Sequence, residues 1–207
     1  MKRILFILLA LGAICVSEPS RAQSLDDLMK SIGAMFSTSE QQPQPKPAVT
    51  IPTLEELIGR LKYDALAIDY TGDSSIASLA VTTLESQLPM IAEKFGFVAG
   101  RDYIDVSDDG SLLIVCDGKG AAAYCSSYDQ ATGRTTIMMR LAEQQSIYVG
   151  ATVLKSQGRY RLLFDATELF SLMEKHYPAF SENTTLVMIK GVVDAYPGIR
   201  VGVVLKK

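Results

Sequence analysis

Apolar and polar residues alternate along most of the chain from Arg60 onward, and the period changes in two places. "RLKYDALAIDY" (60–70) alternates in part and predicts a first long strand. From Asp73 to Phe95 the period lengthens. Ile76, Ala80, Leu84, Leu88, Ile91 and Phe95 recur at helical spacing and form one apolar stripe. Asp73 and Ser74 are suitable caps, Pro89 is expected to kink the helix or divide it in two, and Gly96 to stop it. After Gly100 the alternation resumes as a meander. "DYIDVS", "SLLIVCD", "GAAAYCSSY", "TTIMMRL", "SIYVGATVLK" and "RYRLLF" predict successive strands, and "DDG", "GK", "DQATGR" and "SQG" predict turns between them. Ile137, Met139 and Leu141 share one face, with Thr136, Met138 and Arg140 on the other. "DATELFSLMEKHY" returns to helical spacing behind Asp165 as cap, and "SENTTLVMIKGVVDAY" predicts a second helix, broken by Pro197 and Gly198. "IRVGVVLKK" ends the pattern as a strand with Ile199, Val201, Val203 and Leu205 on one face.

The expected class is therefore mainly β with helical insertions. About eight strands in meander order leave two open sheet edges unless the last strand pairs with the first. Closure into a small antiparallel barrel removes both edges. The alternative is an open two-sheet sandwich.

The first fifty residues follow a different logic. Lys2 and Arg3 precede "ILFILLALGAICV", and small residues Ser20 and Ala22 follow, which is the pattern of an export signal over 1–22 cleaved after Ala22. The apolar run is too short for a membrane anchor, and no stretch of the body is long and apolar enough to span a bilayer. An exported chain, periplasmic or secreted, is expected. Cys15 lies inside the apolar run behind Ile14, where lipidation would need a small residue. "SLDDLMKSIGAMF" (24–36) predicts a short amphipathic helix, and "STSEQQPQPKPAVTIP" (37–52), with four prolines, a linker of extended character. Residues 23–52 are thus an N-terminal helix and Pro/Gln-rich linker, and the barrel domain runs from 53 to 207. It opens on "TLEEL", one helical turn capped by Thr53.

Composition agrees with a packed domain. Of 207 residues, 48% are hydrophobic and 21% charged, enough apolar surface to build a core. The net charge of −3 speaks against nucleic acid as the main partner, since phosphate binding needs a basic surface.

The order of elements is also that of a known family. "LEELIGRLKY", the helix ending "IAEKFGF", the turns "DDGSL" and "YDQATG", "LLFDATELFSLM" and "YPGIRVGVVLKK" together resemble the lipocalin-like domain of exported proteins from gut Bacteroides-type bacteria. The resemblance implies a barrel and an exported location. It implies no ligand or activity, so no site residue is carried over. The chain departs from that family's usual Gly-x-Trp at the first strand: Gly59, Arg60 and Leu61 stand there, the chain has no tryptophan, and Tyr63 is expected to take over part of the missing packing.

Candidate chemistry is sparse. No nucleophile elbow, metal cluster or phosphate loop occurs, so the expectation is a non-catalytic protein without a cofactor. His176 is the single histidine, at a helix end where an imidazole meets the last carbonyls. Asp108 and Asp109 suit a turn, and Met138 and Met139 point to opposite faces. With "GK" as a two-residue turn, Cys116 faces Ala121 and Cys125 faces Leu112, too far apart for a bond; a bulge would change the register, so a disulfide and two buried free thiols stay as alternatives. Small side chains on the inner face favour empty space. The expected wall of an apolar ligand site is Leu112, Ile114, Ala121, Ala123, Ile137, Met139, Val149, Leu162 and Val203, with the 73–95 helix as lid. Alternatively that helix fills the interior. The domain would then be a structural or protein-interaction module of the cell envelope, meeting its partner through the N-terminal segment.

Overall fold

The computed structural model describes residues 48–94, 97–140, 146–176, 190–191 and 193–207. The export signal, the 24–36 helix, the linker up to residue 47 and most of the second helix over 181–196 lie outside the described residues.

Eight strands form one closed antiparallel barrel in strict meander order. They are β1 (Gly59–Tyr70), β2 (Tyr103–Val106), β3 (Ser111–Cys116), β4 (Lys119–Asp129), β5 (Arg134–Arg140), β6 (Ser146–Ser156), β7 (Arg159–Asp165) and β8 (Ile199–Lys206). Closure is made by β8 on β1, from Lys62 opposite Lys206 to Tyr70 opposite Ile199, with a bulge between Tyr63 and Ala65. The open sandwich is thereby set aside. Inward residues follow the predicted parity: Leu162, Val203 and Leu66 align across three strands, as do Leu112, Ala123 and Met139.

One turn differs from its expectation. The β3–β4 loop is Asp117–Gly118, not Gly118–Lys119, so Cys116 faces Lys119 and Leu112 faces Ala123. Both loop residues have positive φ, 49° and 68°. A two-residue turn of this twist requires that at both positions, and Asp-Gly supplies it more readily than Gly-Lys. The shift keeps every inward residue inward, because it is a two-residue slip.

Helices complete the described fold, and residues 190–191 and 193–195 are helical in addition to the three that follow. α1 (Leu54–Leu57) is held by a capping box in which the Thr53 Oγ1 accepts from Glu56 N and the Glu56 carboxylate accepts from Thr53 N. α2 (Ser75–Lys94) follows β1 and packs against it. Ser74 Oγ accepts from Ala77 N at 3.2 Å, so Ser74 is its cap. Pro89 does not divide α2. Its lost backbone bond is tolerated because Leu88 and Ala92, on both sides of it, are buried in the core. Among its described side chains Ala77, Val81, Leu88 and Ala92 are buried, Leu88 as the predicted stripe expects; those of Ile76, Ala80, Leu84, Ile91 and Phe95 lie outside the description. α3 (Ala166–His176) begins at Asp165, whose Oδ1 accepts from Glu168 N at 2.9 Å. It packs against β7 and β8, and its Leu169, Phe170 and Met173 are buried in the core with Phe164 and Val201.

β1 pairs with β2 only over Gly59–Lys62. Beyond that point the loop between α2 and β2 continues the pairing: Gly100 N donates to Tyr63 O, and Tyr63 N to Asp102 O, both at 2.8 Å. Asp102 is 2% exposed and anchors this join. Its Oδ1 accepts from Arg101 Nε (2.8 Å) and Asp117 N (3.1 Å), its Oδ2 from Val98 N (2.9 Å) and Arg101 Nη2 (3.2 Å). One carboxylate thus ties the loop to the β3–β4 hairpin. No helix among the described residues is long and apolar enough to cross a membrane.

Candidate functional site

The inward faces of the strands do not fill the barrel completely. A cavity of ≈ 120 Å³ lies at the end where β1 begins and β8 finishes. Leu61, Ile104, Val106, Leu112 and Ile114 form one side, and Val153, Tyr160, Leu162, Val203 and Leu205 the other. Leu54 and Leu57 of α1 meet it from one end, Tyr63 and Phe97 from another, their rings stacked at 5.2 Å between centroids. The wall is almost entirely hydrocarbon. Among the described residues it contains no Lys, Arg or His, and Asp102 is its one carboxylate.

Of the nine residues expected on the wall, Leu112, Ile114, Ile137, Met139, Leu162 and Val203 lie on it. Ala121, Ala123 and Val149 do not. Ala121 pairs with Ile114, and Ala123 with both Leu112 and Met139, so each alanine is flanked by a longer side chain that does reach the cavity. Val149, 1% exposed, sits in the packed part of the core with Ile147 and Ala151. The alternatives of open pocket and filled interior therefore divide the barrel between them: one part is packed, the other hollow. Among the described residues none of α2 lies on the wall, whereas Leu54 and Leu57 of α1 do. α1 is tied to the barrel. It is fastened by Tyr128 Oη, which donates to Pro52 O at 2.6 Å, by the Thr50–Lys155 bridge, and by an ion pair between Glu56 and Lys155. Lys155 holds the Glu56 carboxyl below the ordinary range.

Among the described residues Cys116 and Cys125 are free thiols. The turn at Asp117–Gly118 leaves Cys116 beside the hairpin tip and Cys125 beyond the far end of β3, about 20 Å along the strand, where no bond can form. Cys116 is buried; burial first, then the charge of Asp102, pushes its thiol up to about 11. Cys125 Sγ and Thr135 Oγ1 lie 3.1 Å apart, and Thr135 Oγ1 donates to Ser127 O at 2.8 Å. Asp109 takes the turn role expected of it, its Oδ1 accepting from Ser111 N at 2.8 Å and its Oδ2 from Ser111 Oγ at 3.0 Å.

Sequence reasoning missed Leu61, Tyr63, Tyr160, Phe97 and α1 as wall. Leu61 carried a signal: it occupies the position at which the resemblance leads one to expect tryptophan. It is 3% exposed and borders the cavity, so a smaller side chain stands where an indole would take up space.

These features define a class: a closed eight-stranded antiparallel barrel with an apolar interior cavity and a short helix across one end. The likeness extends to sequence. Residues 44–207 match the family model described as lipocalin-like domain (DUF4923), and the chain belongs to that family. No curated protein and no solved structure matches it.

Proposed function

We propose that this domain is a non-catalytic, exported barrel that holds one small apolar or amphipathic molecule in its cavity. The supporting observation is the cavity itself. Its ≈ 120 Å³ is close to the ~150 Å³ of an apolar cavity that stays dry and takes up benzene, and well under the ~300 Å³ at which drug-sized ligands begin. The occupant is thus the size of a single ring or a short chain. An empty apolar void of this size costs contacts on every side, and an occupant restores them.

Binding of benzene, followed by titration calorimetry and by methyl NMR shifts of Ile104, Ile114 and Ile137, tests the reading. Saturable binding with shifts confined to these methyls is expected. Leu61→Trp, which places a bulky ring in the cavity, should leave the barrel folded and abolish binding. Absence of saturable binding by wild type, or equal binding by the tryptophan variant, refutes it. Export is tested separately by N-terminal sequencing of the mature chain, which should begin at Gln23.

A further inference from the structure

A row of apolar side chains stands on the outer face of the barrel. Tyr124, Met138 and Tyr148 are direct neighbours in register on β4, β5 and β6. Leu113 on β3 extends the row, opposite Ala122 and so two residues from Tyr124. Tyr148 is 57% exposed, Tyr124 and Leu113 are each 41% exposed, and Met138 is half-buried. Apolar residues exposed singly are ordinary, but adjacent ones on one face mark a surface that another element covers. Their exposure shows that no described element covers them. The chain carries a segment that suits the row. In residues 24–36, Leu25, Leu28, Met29, Ile32, Met35 and Phe36 recur at three- and four-residue spacing, with Asp26, Asp27, Lys30 and Ser31 between them.

We infer that residues 24–36 dock as an amphipathic helix on the Leu113–Tyr124–Met138–Tyr148 row of their own chain. Size agrees: Leu25 to Phe36 spans ~17 Å as a helix, and the row, across three strand spacings, ~14 Å. Reach agrees as well. Ser156 Oγ donates to Ala48 O at 3.1 Å, which ties the chain just after the linker to the end of β6. Tyr148 lies ~26 Å back along that strand, and residues 37–47, rich in proline and therefore extended, cover ~34 Å. Charge agrees too: Arg140, exposed on the same side of β5 as Met138, offers a cation to Asp26 and Asp27. A segment tethered by so short a linker competes at an effective concentration of about millimolar, which favours it over a second copy of the chain.

The test uses the whole chain, which has no tryptophan, so Ile32→Trp places a single indole on the apolar stripe. Its emission should be blue-shifted, and iodide should quench it several-fold less than in the same chain carrying Tyr124→Ser and Tyr148→Ser. Both tyrosines are exposed, so the double serine variant keeps the barrel, as circular dichroism checks. With Ile32 in place, amide exchange of residues 24–36 should quicken in the double serine variant while that of the strands does not. The blue shift should persist on dilution, with sedimentation showing a monomer. An indole exposed to iodide in the chain that keeps both tyrosines, or protection of 24–36 indifferent to the tyrosine pair, overturns the inference. A blue shift that fades on dilution as a dimer dissociates overturns it in favour of a second copy. One that appears only with added phosphatidylglycerol vesicles overturns it in favour of a lipid surface.

Discussion

Asp102→Asn isolates the group that joins the loop after α2 to the β3–β4 hairpin. The carboxylate accepts five hydrogen bonds, from two backbone and two guanidinium N–H donors and, at 4.0 Å, from the Cys116 thiol. An amide of the same shape offers one oxygen, and its nitrogen must face two N–H donors whichever way it is turned. Two bonds to a charged acceptor are lost, each worth ~1.5–3 kcal/mol when buried. Val98 and the Arg101 side chain are partly exposed, so water recovers a share. The net expectation is ~2–4 kcal/mol in urea unfolding at pH 7. The pH dependence provides the stricter check. Burial opposes charging of Asp102, but Arg101 and the Val98 and Asp117 amides outweigh it and hold the folded carboxyl below its ordinary range. Its stabilisation is therefore complete above the unfolded value, about pH 4, and is lost as pH falls through the lower folded value. The gap between wild type and Asp102→Asn should be constant from pH 5 to 8 and shrink below pH 4. Asp64, Asp105, Asp109 and Asp129 are also depressed but are common to both proteins and cancel. A gap under ~1 kcal/mol, or one that persists undiminished in acid, refutes the assignment.

Three further outcomes follow from the same geometry. Cys116, buried with its thiol pushed up to about 11, should react with iodoacetamide at pH 8 on the order of 100-fold more slowly than a free cysteine, as peptide mass spectrometry of timed samples would measure. Gly202→Ala should destabilise by ~3 kcal/mol or more, because a Cβ there would stand 1.8 Å from Leu162 O, within the backbone of the neighbouring strand; circular dichroism melts would show it, and a neutral effect would contradict the register. Tyr128→Phe should cost ~1 kcal/mol by removing the bond to Pro52 O, and amide exchange should rise around α1 before it rises in the strands.

Alternation located the strands because period two and a solvated outer face leave little freedom: Ile137, Met139 and Leu162 turned inward as their spacing required. What spacing could not supply was depth along the barrel. Ala121 and Met139 have equal parity, yet Met139 touches the cavity and Ala121 does not, because the stagger of the strands decides which inward residues meet. α1 was legible as a capped turn, but its position over the cavity depends on Tyr128 Oη and Lys155, 76 and 99 residues from the Pro52 and Glu56 they hold.

The pairing of β8 with β1 also bears on how the domain folds. A growing chain carries β1 with one edge unsatisfied until residues 199–206 follow it, so the sheet has no finished intermediate. Long-separation contacts of this kind slow folding. The same arrangement makes the last strand a single point of control: hold it back, and the hollow does not close.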